Sequence, residues 1–224
     1  NNTYEFSVET YYKQSRDVTE FADNAELFFN KHLAVEFRQG EGESYGAEFF
    51  LQKKKGKLQG YLSYTWSKTQ LEVPGVNNGQ AFVANHDRRH NLNIAATYQL
   101  NDRWNVGGNF TYATGRPITL PTGKYEFDNF QVNYYSERNG YRLPDFHRLD
   151  LSATWEAPKK EGKWAQNSFS FGMYNAYNRK NPFTIYTRKK RDDDGNIIGD
   201  GTEKEARLVY LFGALPYFTW NFKF

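Results

Sequence analysis

Apolar and polar positions alternate with a period of two along most of this chain, the spacing of strands with two unlike faces. Tyr4, Phe6, Val8, Thr10 and Tyr12 share one parity, against Glu5, Ser7, Glu9 and Lys13 on the other. Leu58, Gly60, Leu62, Tyr64 and Trp66 alternate with Lys57, Gln59, Tyr61, Ser63 and Thr65. The same rule sets Leu92, Ile94, Ala96 and Tyr98 against Asn91, Asn93, Thr97 and Gln99, and Val106, Gly108, Phe110 and Tyr112 against Asn105, Asn109 and Thr111. It sets Leu149, Leu151, Ala153 and Trp155 against Arg148, Asp150, Ser152 and Thr154, then Phe169, Phe171 and Met173 against Ser168, Ser170 and Tyr174. Phe218, Trp220, Phe222 and Phe224 close the chain against Thr219, Asn221 and Lys223. The pattern predicts strands near 3–20, 44–53, 57–69, 90–100, 104–115, 147–157, 165–178 and 206–224.

The connections between these strands alternate strictly in length. Residues 53–57, 100–104 and 157–164 are short turns, whereas 21–43, 70–89, 116–146 and 179–205 are long loops. A soluble β-sandwich or jelly roll has no reason to keep every second loop short. A transmembrane barrel does, with short turns at the periplasm and long loops outside. The apolar face carries Phe, Tyr, Leu and Trp with Gly and Ala, which suits lipid; the other carries Asn, Ser, Thr, Gln and Gly, which suits a wet or plugged lumen. Trp66, Trp104, Trp155, Trp164 and Trp220 fall near strand ends, where an interfacial girdle sits. The expected fold is therefore all-β, a transmembrane antiparallel β-barrel of about eight strands. An open edge in lipid is costly, so these strands either close as a small barrel or form an arc of a larger one.

Composition agrees with this and removes other classes. The chain has 224 residues, 29 Lys+Arg against 26 Asp+Glu, 18% aromatics and 0 Cys. Its mean hydropathy of −0.86 and the lack of a long apolar run exclude helical membrane spans. The aromatic content argues against a disordered tail, and the mild charge of +3 against a nucleic-acid partner. With no Cys there is no disulfide framework, thiolate metal site or thiol nucleophile. Asn1-Asn2-Thr3-Tyr4 runs directly into strand sequence, so the chain is expected to be a processed or internal stretch of something longer.

Charges on the polar parity are the candidate functional groups. Asp87-Arg88-Arg89-His90 precedes a strand, and Arg148 and Asp150 share the inner face of another. Arg88, Arg89, Arg148 and Asp150 are candidates for contact with a substrate or a plug; the alternative is a ladder of structural ion pairs, since buried charges are normally paired. His32, His86, His90 and His147 do not build a metal site, because an i,i+4 pair ligates from a helix and not ahead of a strand. Asp192-Asp193-Asp194-Gly195-Asn196 has Gly at the wrong offset for a calcium loop and reads as an acidic hairpin tip. Gly107-Gly108 reads as barrel curvature. No catalytic, metal or cofactor-binding residue is expected, and the chain is not read as an enzyme.

Several stretches resemble the C-terminal part of TonB-dependent outer-membrane receptors. They are Ser44-Tyr45-Gly46-Ala47-Glu48, residues 63–69 (Ser-Tyr-Thr-Trp-Ser-Lys-Thr), Asp87-Arg88-Arg89-His90-Asn91-Leu92, Thr114-Gly115-Arg116-Pro117-Ile118-Thr119, and residues 135–151 around Arg142-Leu143-Pro144-Asp145. The terminal run Tyr217–Phe224 is similar to the last strand of outer-membrane proteins. The resemblance implies that Trp220, Phe222 and Phe224 form a signal for the barrel-assembly machinery. It implies that residues 1–224 are the C-terminal arc of a barrel of about 22 strands, whose earlier strands and plug domain lie outside this chain. The function implied is that of an energy-coupled importer of the bacterial outer membrane. Its partners would be the rest of the barrel and the plug, TonB through that plug, the barrel-assembly machinery, a surface lipoprotein and the lipid bilayer, with no cofactor. Two alternatives stand beside it: a self-standing small barrel with a structural or adhesive role, and a barrel hydrolase using rim residues such as His86, Asp87 and His147.

Overall fold

The computed structural model describes residues 3–23, 25, 30–127, 130–135, 137–158, 166–199 and 203–223. The alternating segments are eight long strands: β1 (Tyr4–Phe21), β2 (Phe37–Lys53), β3 (Leu58–Glu72), β4 (His90–Gln99), β5 (Trp104–Ala113), β6 (Phe146–Glu156), β7 (Gln166–Tyr174) and β8 (Leu215–Lys223). Each pairs antiparallel with the next, so the sheet is a meander from β1 to β8.

Register carries each parity across the whole wall. Leu51 pairs with Leu62, Leu62 with Ile94, Ile94 with Phe110 and Phe110 with Leu149. One residue along, Ser63, Asn93, Thr111 and Arg148 make the matching polar row on the opposite face. Aromatic rows bound the apolar band at both ends. Near the short turns, Trp104 pairs with Trp155, Trp155 with Phe169 and Phe169 with Trp220. Near the long loops, Phe49, Tyr64, Leu92, Tyr112 and His147 form the other row. From Trp104 to Tyr112 is eight residues, about 27 Å along a strand and about 20 Å once tilted, close to the apolar thickness a barrel needs.

The buried residues settle what covers the apolar face. Ala22, Leu71, Val73, Val76, Phe82, Ala84, Pro117 and Leu143 are the buried apolar side chains among the described residues, and all lie at the long-loop end. Phe6, Phe171, Phe218 and Trp220 stay 67%, 51%, 58% and 58% exposed. A soluble sandwich would cover that face with a second sheet. Here it is left for lipid.

Three strands run past the bilayer. β4–β8 have 9–11 residues, enough to cross, whereas β1, β2 and β3 have 18, 17 and 15. The sequence places the start of β2 near residue 44, but the strand begins at Phe37. Residues 37–43 (Phe-Arg-Gln-Gly-Glu-Gly-Glu) are polar and Gly-rich and read as loop. They hold the ladder anyway, because a strand outside lipid needs paired backbone but no apolar parity. β1 adjusts by a bulge: Ser15 pairs with Gly42 and Val18 with Gly40, with Asp17 at φ 57 between them. The extra residue inverts the parity, so Val18 turns to the inner face and packs on Leu71, Val73, Val76, Phe82 and Ala84.

The last strand is also shorter than its sequence suggests. Residues 206–209 belong to a loop hairpin, Thr184–Lys189 against Lys204–Val209, and β8 starts only at Leu215. Apolar parity continues through Leu208 and Tyr210, yet the chain leaves the hairpin there and re-enters the wall where Asn178 Oδ1 accepts from the Ala214 N–H at 3.0 Å. β7 likewise ends at Tyr174 rather than 178, because Asn175 and Asn178 take left-handed φ values of 54 and 56. Trp164 and Phe224 lie outside the described residues. Among the described residues β8 pairs with β7 alone, and no ladder joins it to β1.

Candidate functional site

The mouth of the wall is built where long loops fold back on strand ends. Beyond His90 the edge of β3 is taken over by residues 84–89: the Ser67 N–H donates to Arg89 O at 3.1 Å, and the Ala84 N–H to Thr69 O at 3.1 Å. Asp87 is carried inward by this segment and its side chain is fully buried. One carboxylate oxygen accepts from the Thr69 N–H at 2.8 Å; the other pairs with Arg142 and lies 3.7 Å from Arg89 Nη2. Arg142 also donates to Gly115 O at 3.0 Å and to Asp87 O at 3.2 Å. Arg88 donates to Thr114 O at 2.7 Å. Two guanidinium groups thus hold consecutive carbonyls just before Arg116.

Asp145 anchors the far side of the same loop. It accepts from Tyr112 OH at 2.6 Å and from the Gly115 N–H at 2.9 Å. Those two bonds, the tyrosine first, hold its carboxyl below the usual range despite partial burial. Burial, with Arg116 and Arg142 nearby, pushes the Arg88 guanidinium below its ordinary value, although it stays charged near neutrality.

Deeper in the wall, Arg148 and Asp150 meet on the inner face at 2.9 Å. Arg148 also donates to Tyr174 OH at 2.5 Å and lies 4.0 Å over its ring. The other oxygen of Asp150 accepts from the Asn175 N–H at 2.9 Å, which fixes the exit of β7. Below them a trough of about 650 Å³ is lined by polar side chains such as Gln52, Gln59, Thr97, Asn109 and Ser152 together with Tyr61, Ala95 and Tyr217.

The structure therefore splits the four charges expected from the sequence into two groups: Arg88 and Arg89 at the mouth, Arg148 and Asp150 on the inner wall. Arg142, Asp145, Tyr174 and Asn175 join them and were not singled out by local pattern. Arg142 and Asp145 lie in the motif-like stretch 135–151, Tyr174 entered only through the polar parity of its strand, and Asn175 carried no signal in the sequence. The histidines stay apart: His90 Nδ1 meets Tyr64 OH at 2.8 Å, His147 Nδ1 meets Tyr177 OH at 2.8 Å, and His86 contacts Asn85. Asp192 accepts from the Asn196 N–H at 2.8 Å and closes a turn. Trp220 faces outward and donates its indole N–H to Asn167 Oδ1 at 3.0 Å.

Three long loops are tied to one another above this site. Arg138 Nη2 meets Glu20 at 3.0 Å and its Nη1 lies 3.6 Å from Asp23. The Arg138 N–H donates to Asn77 Oδ1 at 2.8 Å, and the Asn77 N–H to Asp23 at 2.7 Å. Asn139 Nδ2 adds a bond to Val83 O at 2.8 Å.

Residues 1–176 match the family model of the TonB dependent receptor-like beta-barrel. No curated protein and no solved structure gives a significant match.

Proposed function

Because the chain belongs to the TonB-dependent receptor β-barrel family, we propose that it forms the C-terminal arc of an importer's barrel wall. Proteins of this family are transporters of the bacterial outer membrane that work with TonB and a plug domain. In this reading the tied loops capture a substrate at the mouth and the polar inner face lines its route. Energy arrives through TonB acting on the plug. Arg148 and Asp150 face that plug or the moving substrate from the inner wall, while Arg88 and Arg89 serve the mouth. Trp220, Phe222 and Phe224 act as the assembly signal, and a surface lipoprotein would sit over the loops. The observation that carries the proposal is the two-faced wall, an outward apolar band and an inward polar face under interlocked long loops. A soluble enzyme has no use for that combination.

Deletion of the gene, compared with its complement and with a TonB-deficient strain on a panel of nutrients too large for porins, tests it. The expected result is the same growth defect in both mutants, rescued by the complement. Unimpaired growth of the deletion strain on every nutrient that needs TonB would overturn the proposal.

A further inference from the structure

The arginines at the mouth outnumber the acids that could neutralise them. Arg88, Arg89, Arg116 and Arg142 gather there against Asp87 and Asp145. Asp87 is shared between Arg142 and Arg89, and Asp145 is occupied by Tyr112 OH and the Gly115 N–H. Among the described residues neither Arg88 nor Arg116 has a carboxylate partner. Arg88 is half-buried, with a backbone carbonyl as its acceptor, while Arg116 is exposed. The backbone draws them together: Arg88 sits on Thr114 O, Arg142 on Gly115 O, and Arg116 follows directly. Gly115 suits this close approach, since a Cβ there would run into Leu143 O.

Holding like charges together in a partly desolvated place is unfavourable unless an anion neutralises them. Guanidinium groups offer planar pairs of N–H donors, the geometry that grips carboxylate or phosphate oxygens. We propose that Arg88 and Arg116, beside the Asp87–Arg142 pair, form a binding site for a carboxylate or phosphate group on a soluble ligand arriving from outside. The outward side is favoured because Arg116 is open to solvent and both segments that build the site belong to long loops. The site rests on the importer reading and adds the charge class of the cargo. Asp87 and Arg142 position the site, with Arg88 and Arg116 touching the anion.

The purified full-length receptor in detergent, titrated with citrate and with inorganic phosphate at fixed ionic strength, tests the site by calorimetry. Saturable binding of at least one anion is expected, weakened by about tenfold in the Arg88→Gln/Arg116→Gln double variant. Arg116→Gln alone gives a smaller loss. It alters an exposed side chain and leaves the Asp87–Arg142 pair untouched, so a folding defect in the double variant would not hide the answer. Lys55→Gln/Lys57→Gln, at the opposite end of the wall, should bind as the parent does. Equal affinity in parent and arginine variants, or no saturable binding of either anion, would overturn the proposal. Such a failure leaves the importer reading standing, because binding is measured without transport.

Discussion

At the scale of single residues, parity decides what a side chain costs. Leu62 lies in the apolar row that runs from Leu51 to Leu149, and Ser63 is its neighbour on the polar row. Leu62→Arg should destabilise the barrel by about 2–4 kcal/mol, whereas Ser63→Arg should cost much less. Unfolding in reconstituted bilayers measures both, and equal costs would refute the assignment of faces. Asp145 sets a pH dependence. Its carboxyl is held below the ordinary range by Tyr112 OH and the Gly115 N–H, so the ionised form is the one that stabilises the loop. That contribution is present above the ordinary carboxylate pKa and is lost as pH falls through the lowered one. Hydrogen exchange at residues 114–118 should therefore quicken as pH falls below about 4, after correction for intrinsic rates. Asp145→Asn should exchange faster already at neutral pH, with little further change on acidification.

At the scale of elements, the loops behave as a set because one arginine binds three of them. Arg138 reaches Glu20 and Asp23 at the end of β1 and Asn77 in the loop after β3. Each partly exposed ion pair is worth little alone, but the bonds to Asn77 and Val83 share the same geometry. Arg138→Ala should loosen the loops together, by about 1–3 kcal/mol of local opening, while the membrane strands keep their stability. Limited proteolysis checks this: cleavage should quicken in all three of segments 22–36, 73–89 and 114–145. Faster cleavage in 114–145 alone would mean the loops are independent. The projecting part of β1–β3 supports this cap. From Trp66 to Glu72, β3 continues about 20 Å beyond the aromatic row, and the bulge at Asp17 turns Val18 onto the small core under the loops.

At the scale of the whole molecule, the alternation of turns and loops sets orientation. Short turns should face the periplasm and long loops the outside. With single Cys residues introduced on intact cells, a membrane-impermeant reagent should label Gly195→Cys and leave Gly56→Cys silent. The reverse pattern would invert the topology. The free sides of β1 and β8 belong to the same question, because unpaired N–H and C=O groups cost several kcal/mol each in lipid. With no ladder between β1 and β8 among the described residues, the physical expectation is that strands outside these 224 residues complete the wall.

The sequence alone determined what is local along one chain. A period of two fixes the face of each residue, and turn length is counted directly, so the existence of the wall, its apolar band and its alternating loops were all legible. Arg148 and Asp150 could be placed on one face because they are two apart in a strand. Only the tertiary structure decided what depends on distant partners. Residues 37–43 became strand because neighbouring backbones offered a ladder outside lipid, where side-chain pattern no longer matters. Residues 206–209 left the wall because the hairpin with Thr184–Lys189 claimed their hydrogen bonds. The bulge reversed parity through one unpaired residue that no alternation announces. Arg142 met Asp87 across 55 positions and Arg138 met Glu20 across 118. Such ion pairs leave no periodic trace, since any arginine and any acid would read alike until folding brings one pair within reach.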